Sequence, residues 1–261
     1  MSRFCPLFSS SSGNCAYIGC GDSGILVDAG ASCKSILSAL CDRDIDPASI
    51  KAIAVTHEHS DHIKGLKTLV KKLKVPIMAS RPTLISLNQH DALPEGCEII
   101  EAENGATFDD IAVTRFSTSH DCEGSSGFVF SLPQNQKFAV CTDLGYISDE
   151  VKENLRGCDL VMLESNHDVN MLKNGPYPFY LKERILSKQG HLSNGQCASI
   201  LPELIKNGTT RIVLAHLSQH NNLPTLAKTA SVAALIEVGA KEQLDYILYV
   251  APKEGGRTLN L

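Results

Sequence analysis

A chain of 261 residues with 43% hydrophobic and only 20% charged side chains has enough apolar material to build a sizeable core, which excludes an intrinsically disordered protein. Its 24 Lys and Arg against 29 Asp and Glu give a net charge of −5, so no global positive field draws it to nucleic acid, although a local basic patch can still bind phosphates. No apolar run approaches the roughly 18 residues of a membrane span, and the stretch MSRFCPLFSSSSGN lacks the apolar segment of a secretory signal, so a cytoplasmic protein without membrane insertion is expected.

Short apolar strands alternate with helical stretches from end to end, the pattern of an α/β fold. Strands are predicted at 15–20, 24–30 and 50–56, with an amphipathic helix near 33–41 and another over 63–74. Further strands are predicted at 75–80, 111–118, 127–132, 138–143, 159–165, 211–216 and 246–250, and helices at 148–156, 178–189, 194–206 and 225–238. Pro47, Pro76, Pro133 and Gly208 mark turns, but none lies in a Gly/Ser-rich linker, so residues 1–261 read as one domain. The ten cysteines are scattered without a CxxC pair and are expected to stay reduced, several of them packing in strands as small hydrophobes.

Three of the nine histidines fall in the segment Thr56-His57-Glu58-His59-Ser60-Asp61-His62, directly after the apolar run IKAIAV. In extended backbone His57 and His59 project to the same side, while Asp61 and His62 open the next helix and can turn toward a neighbouring point. The bland alternative, a polar loop capping a helix, gives no reason for so many imidazoles. Imidazole suits zinc, manganese and iron, and carboxylate oxygen favours the harder cations, so the donor types leave the metal open.

The segment resembles the HxHxDH signature of the metallo-β-lactamase superfamily. That resemblance implies a four-layer αββα sandwich with a two-metal site at the sheet edges. It asks for further polar residues at strand ends, in the order found here: Asp28 after GILV, His120 in FSTSHD, Asp143 after FAVCT and His216 after RIVLA. It implies that His57, His59 and His120 hold one divalent ion, that Asp61, His62 and His216 hold the other, that Asp143 bridges them, and that Asp28 orients the loop. Two metals about 3.5 to 4 Å apart lower the pKa of a shared water and stabilise attacking and leaving oxygens, which makes hydrolysis the expected reaction.

Two other segments, Glu164-Ser165-Asn166-His167-Asp168 and Gly190-His191-Leu192-Ser193-Asn194, together with SSSSGN at 9–14, look like the YycJ/WalJ group of that superfamily over nearly the whole chain. This resemblance implies a DNA-directed phosphodiesterase, with double-strand exonuclease activity and two zinc or manganese ions, iron being possible. GHLSN also looks like the HST element of tRNase Z enzymes, in which a histidine outside the metal shell assists the leaving oxygen. His191 takes that place, with Glu164 to orient it and keep it protonated; Asp61, His191 and Glu164 are thus the catalytic candidates.

Substrate contacts are expected from Ser11, Ser12 and Asn14, whose loop can cradle an oxyanion, and from His167, which lines the site. An ordinary hairpin turn is the alternative for that loop. Lys64, Lys67, Lys71 and Lys74 follow at helical spacing and form a basic stripe, although most such stripes are simply solvated faces. His90 and His220 carry less information. There is no long insertion for the extra domain of RNase J-like nucleases, nor the protruding arm of tRNase Z, so DNA or another phosphodiester is the expected substrate. A small-molecule phosphodiesterase and a non-enzymatic signalling protein are the competing readings.

Overall fold

Strands form where β-branched and other apolar residues run without polar interruption, as in IKAIA, LVMLE and RIVLA. The computed structural model describes residues 1–261 and contains fourteen strands and nine α-helices. The strands are β1 (Ser2–Ser10), β2 (Gly13–Cys20), β3 (Ser23–Val27), β4 (Ile50–Ala54), β5 (Ile77–Ala79), β6 (Ile99–Glu101), β7 (Ala106–Phe108), β8 (Ile111–Ser117), β9 (Ser126–Ser131), β10 (Lys137–Cys141), β11 (Leu160–Glu164), β12 (Arg211–Ala215), β13 (Ile247–Val250) and β14 (Leu259–Asn260). The helices are α1 (Cys33–Cys41), α2 (Ser60–Ile63), α3 (Leu66–Leu73), α4 (Arg81–Gln89), α5 (Asp149–Leu155), α6 (Val169–Asn174), α7 (Phe179–Leu186), α8 (Asn194–Lys206) and α9 (Pro224–Glu237). None is long and apolar enough to cross a membrane.

The strands make two seven-stranded sheets, and the chain divides into two compact units. The first unit takes residues 1–115, 122–135 and 252–261. Its complete sheet runs β14-β1-β2-β3-β4-β5-β6, antiparallel as far as β3 and parallel from β3 onward. Tyr17, Leu26 and Ile53 on this sheet, Ile36 and Leu40 of α1, and Leu66 and Leu69 of α3 share one buried cluster. Burying each such aliphatic side chain contributes about 1.5–3 kcal/mol. The same unit carries the run β9-β8-β7 of the second sheet.

The second unit takes residues 116–121 and 136–251, and its strands run β13-β12-β11-β10, all parallel. Parallel strands covered on both faces need continuous apolar sequence, and β11 is buried along its whole length. The register sets Cys141 beside Leu163 and Glu164 beside Ala215, so the carboxyl ends of β10, β11 and β12 finish level. Open parallel sheets bind ligands at that end. Ser193 and Gln196 form a reciprocal capping box that starts α8 at the last residue of the GHLSN segment.

The helix predicted over 63–74 is instead two, α2 and α3, separated at Lys64 and Gly65. The break has a steric cause. The Gly65 amide donates to the Ala29 carbonyl at 2.8 Å, and a Cβ on residue 65 would lie 2.1 Å from the Ala31 carbonyl oxygen. Lys74 then ends α3 in a left-handed conformation. The sequence reading missed β1, β6, β7, β14, α4 and α6. Pro6 argues against a central strand, and the β1–β2 register does slip between Pro6 and Phe8. The three-residue strands are too short to show an alternation.

Gly65→Ala is expected to cost about 1–3 kcal/mol by overpacking, whereas Gly195→Ala, inside α8 with nothing within 4 Å, should be neutral or stabilising by up to about 1 kcal/mol. Urea unfolding of the two variants measures the contrast.

Candidate active site

In the first unit, the loop after β4 is organised around one buried carboxylate. Asp28 follows β3 with φ of 63°, a left-handed conformation that turns its side chain off the strand line toward residue 56. Its Oδ1 accepts from the Thr56 amide at 2.8 Å, its Oδ2 from the Thr56 hydroxyl at 2.9 Å, and Oδ2 lies 2.7 Å from His62 Nδ1. A proton on His62 Nδ1 makes Nε2 the acceptor, and Nε2 lies 3.1 Å from the Asn14 amide nitrogen; carboxylates fix the tautomer of metal-binding imidazoles by the same device. The Thr56 hydroxyl also lies 3.0 Å from His57 Nδ1. His57 Nε2 sits 3.0 Å from His59 Nδ1, and His62 Nε2 3.6 Å from an Asp61 carboxylate oxygen. Ligand atoms at about 2.0–2.1 Å from a tetrahedral zinc lie about 3.3–3.4 Å apart, so the separations fit donors converging on a small divalent cation.

Two further contacts fix this loop. The Ala29 amide donates to the His62 carbonyl at 2.7 Å, and the Gly30 amide to the Asn14 carbonyl at 2.8 Å. A Cβ at residue 30 would lie on the Asp61 carbonyl, so only glycine allows the two backbones to approach so closely. Asn14 is buried and turns its amide onto Asp61 Oδ2 at 3.2 Å, while Ser11 and Ser12 form the exposed hairpin turn. The Ser10 and Ser12 hydroxyls are 2.9 Å apart.

In the second unit, Asp143, Glu164, His191 and His216 bring donor atoms within 4.8 Å of one another. Asp143 and His216 follow β10 and β12 and, like Asp28, are left-handed, with φ of 60° and 54°. Asp143 Oδ1 lies 3.3 Å from His216 Nε2 and 3.9 Å from His120 Nε2. Glu164 is fully buried; its Oε1 lies 2.7 Å from His191 Nδ1, and its Oε2 accepts from the amides of Leu192 and Leu144 at 3.0 and 3.2 Å. The His191 ring stacks on His216 at 5.4 Å. Burial alone disfavours a charged imidazole, but the charge and hydrogen bond of Glu164, with Asp143 and Asp121 behind them, outweigh it and push His191 up to about 9. Burial keeps His120 below the usual histidine range, and it pulls His167 down to about 4. His167 is 1% exposed, and neither ring nitrogen has a hydrogen-bond partner.

Buried amides to which the sequence reading assigned no role lock these segments together. Asn166 Nδ2 donates to the His216 carbonyl at 3.0 Å, and its backbone carbonyl accepts from Ser218. Asn194 bonds Asn222 and accepts from the Ser165 hydroxyl at 2.7 Å, and Asn222 donates to the Ser165 and Asn166 carbonyls. The only signal available was the clustering of Asn and Ser at the ends of apolar runs.

Other singled-out residues lie elsewhere. His90 is exposed and bonds the Ser86 carbonyl at the end of α4; His220 is exposed against the Tyr177 ring. Lys67 pairs with Asp91 at 2.6 Å, while Lys64, Lys71 and Lys74 are exposed. Burial pushes Cys158 and Cys197 up to about 12, which leaves those thiols unreactive.

Residues 24–217 match the β-lactamase superfamily domain, and the chain belongs to that superfamily. Within it, the chain is 38% identical over 239 residues to the exodeoxyribonuclease YycJ of Bacillus anthracis, covering 91% of this chain and 90% of the relative. It is 35% identical over 251 residues to the exodeoxyribonuclease WalJ of Streptococcus pneumoniae, covering 95% and 93%. In structure it superposes on the metallo-β-lactamase fold protein YhfI of Bacillus subtilis with a TM-score of 0.72 over 99% of this chain and 98% of that one, at 16% identity. The expected fold class is therefore correct.

Glu164→Gln should lower the His191 pKa toward its ordinary value of about 6.5, read by NMR titration of chelator-treated protein. A raised histidine pKa stabilises the fold fully below about pH 6.5. That contribution is lost as pH climbs through about 9, so wild type should lose urea resistance across this interval and the variant should not.

Proposed function

We propose that the chain is a metal-dependent exodeoxyribonuclease that cleaves phosphodiester bonds from DNA ends. The observation that carries this reading is the similarity to two exodeoxyribonucleases, which extends over 91% and 95% of the chain. The residues support it. By family assignment His57, His59 and His120 would hold one divalent ion and Asp61, His62 and His216 a second, with Asp143 able to serve both; zinc and manganese suit these donors, and iron is a third candidate. When bound, such ions act as Lewis acids on the phosphoryl oxygens and lower the pKa of water, supplying a nucleophile near neutrality.

The chain's own groups then orient the reaction. Glu164 anchors His191 through Nδ1 and favours its protonated form, and the protonated ring delivers a proton to the departing alkoxide oxygen. Leu144 and Leu192 amides hold the other Glu164 oxygen, so the carboxylate cannot swing away from the ring. Ser11 and Ser12 offer exposed hydroxyls to phosphate, and His167 is a site-lining residue that burial keeps neutral. Asn14, already bonded to Asp61, positions the metal loop as well as contributing to substrate contact. The absence of a membrane-crossing helix and the bacterial relatives fit a cytoplasmic setting for DNA processing.

Metal-depleted protein restored with manganese or zinc should progressively shorten end-labelled linear duplex DNA. Asp143→Ala should not, and it should also lose metal by mass spectrometry or calorimetry. Intact DNA beside rapid turnover of a small phosphodiester would replace this reading with a small-molecule phosphodiesterase. His191→Ala should retain metal yet cleave about 10²–10⁴-fold more slowly, the range of general-acid contributions; full activity would remove His191 from the mechanism. Asp28→Asn should weaken metal binding about 10–100-fold, measured by calorimetry, because it removes the carboxylate that fixes His62.

A further inference from the structure

In the second unit, one helix beside the catalytic pair leaves its amino-terminal aromatics uncovered. α7, sequence FYLKERIL, contains no fully buried residue. Its first two side chains, Phe179 and Tyr180, are 77% and 74% exposed, whereas the other seven phenylalanines of the chain are buried or half-buried. Isolated exposed apolar residues need no explanation, but two adjacent aromatics on one helical turn expose ring area that a binding partner would cover.

The setting of α7 points to what that partner is. The segment from Met171 to Gly190 carries Lys173, Lys182, Arg184 and Lys188 against the single carboxylate Glu183, in a chain whose net charge is −5. Lys173 and Lys188 are exposed and Lys182 donates to the Lys173 carbonyl. The carboxyl end of α7 runs straight into the catalytic pair: the His191 amide donates to the Ile185 carbonyl at 3.0 Å, and the Gly190 amide to the Ser187 carbonyl at 3.0 Å. Arg184 pairs with Asp121, the neighbour of His120. A Cβ on residue 190 would meet the Arg184 and Ile185 carbonyls at 2.3 and 2.2 Å, so the helix and the His191 segment form one packed piece.

We propose that Phe179 and Tyr180 form a base-stacking platform for the DNA strand, with Lys173, Lys182 and Lys188 available to its phosphates. This rests on the exodeoxyribonuclease reading. Exposed aromatics among lysines and arginines are the chemistry by which single strands are held without sequence preference, since every base has a π-face. An eight-residue helix is about 12 Å long, and nucleotides stack about 3.4 Å apart. The platform therefore meets bases about three nucleotides from the phosphate at His191, beyond the reach of a small diester.

The test compares wild type with Phe179→Ala/Tyr180→Ala, both metal-restored, on a single-stranded oligonucleotide of about twenty nucleotides and on bis(p-nitrophenyl) phosphate. The expected result is that the ratio of kcat/KM for the oligonucleotide to that for the small diester falls at least tenfold, with KM for the oligonucleotide carrying most of the change, and that Phe179→Trp/Tyr180→Trp restores it. An oligonucleotide containing 2-aminopurine three nucleotides from its end should be quenched by wild type and less so by the alanine variant. An unchanged ratio with DNA still cleaved overturns the platform and leaves the exonuclease reading standing. Wild type that hydrolyses the small diester but neither the oligonucleotide nor linear duplex DNA overturns both, and wild type that cleaves the duplex but not the oligonucleotide overturns the platform alone. An unchanged ratio accompanied by a shift from dimer to monomer assigns the aromatics to a second copy of the chain and likewise overturns the platform.

Discussion

The carboxylate of Asp28 is the constraint on which the metal-loop half of the site depends. It is buried at the end of β3, and a buried carboxylate without partners is costly. Here the cost is met by the Thr56 amide, the Thr56 hydroxyl and His62 Nδ1. Because the same three bonds fix the strand end after β4 and one imidazole tautomer, satisfying the carboxylate and shaping the loop are a single event. Gly30 and Gly65 then let the 29–31 segment press against that loop from the other side, at distances no Cβ would permit.

The second unit solves a parallel problem with different material. Four parallel strands end level, and the segments leaving them must turn sharply with their backbone groups buried. Asn166, Asn194 and Asn222 answer that need, supplying short side-chain amides that stand in for missing backbone partners. Glu164 emerges from this framework with one oxygen bound to two backbone amides and the other aimed at His191. Precision at the histidine is therefore inherited from amides that never meet substrate.

Much of this was legible in the sequence because it rests on local patterns. The density of histidines in THEHSDH has little structural rationale without a ligand, and apolar runs ending in Asp28, Asp143 and His216 placed those residues at strand ends to within a residue or two. The strand of each run was readable because parallel strands demand unbroken hydrophobicity. What escaped was non-local. The break between α2 and α3 comes from a carbonyl thirty-four residues upstream, the role of Asn14 from an aspartate forty-seven residues downstream, and the asparagine network from three loops meeting. No window along the chain contains both partners of any of these contacts.

Asp28, Asp143 and His216 share a backbone property. Each sits in the left-handed region, where an ordinary side chain costs about 1–2 kcal/mol and glycine almost nothing. Glycine at Asp143 or His216 would relieve that strain at the loss of a chemical group, whereas at Asp28 it would also strand the buried Thr56 donors. Stability by itself thus gives no reason for Asp143 and His216 to stand where glycine would be unstrained. Their dihedral angles, as much as their residue types, mark them as candidate functional groups.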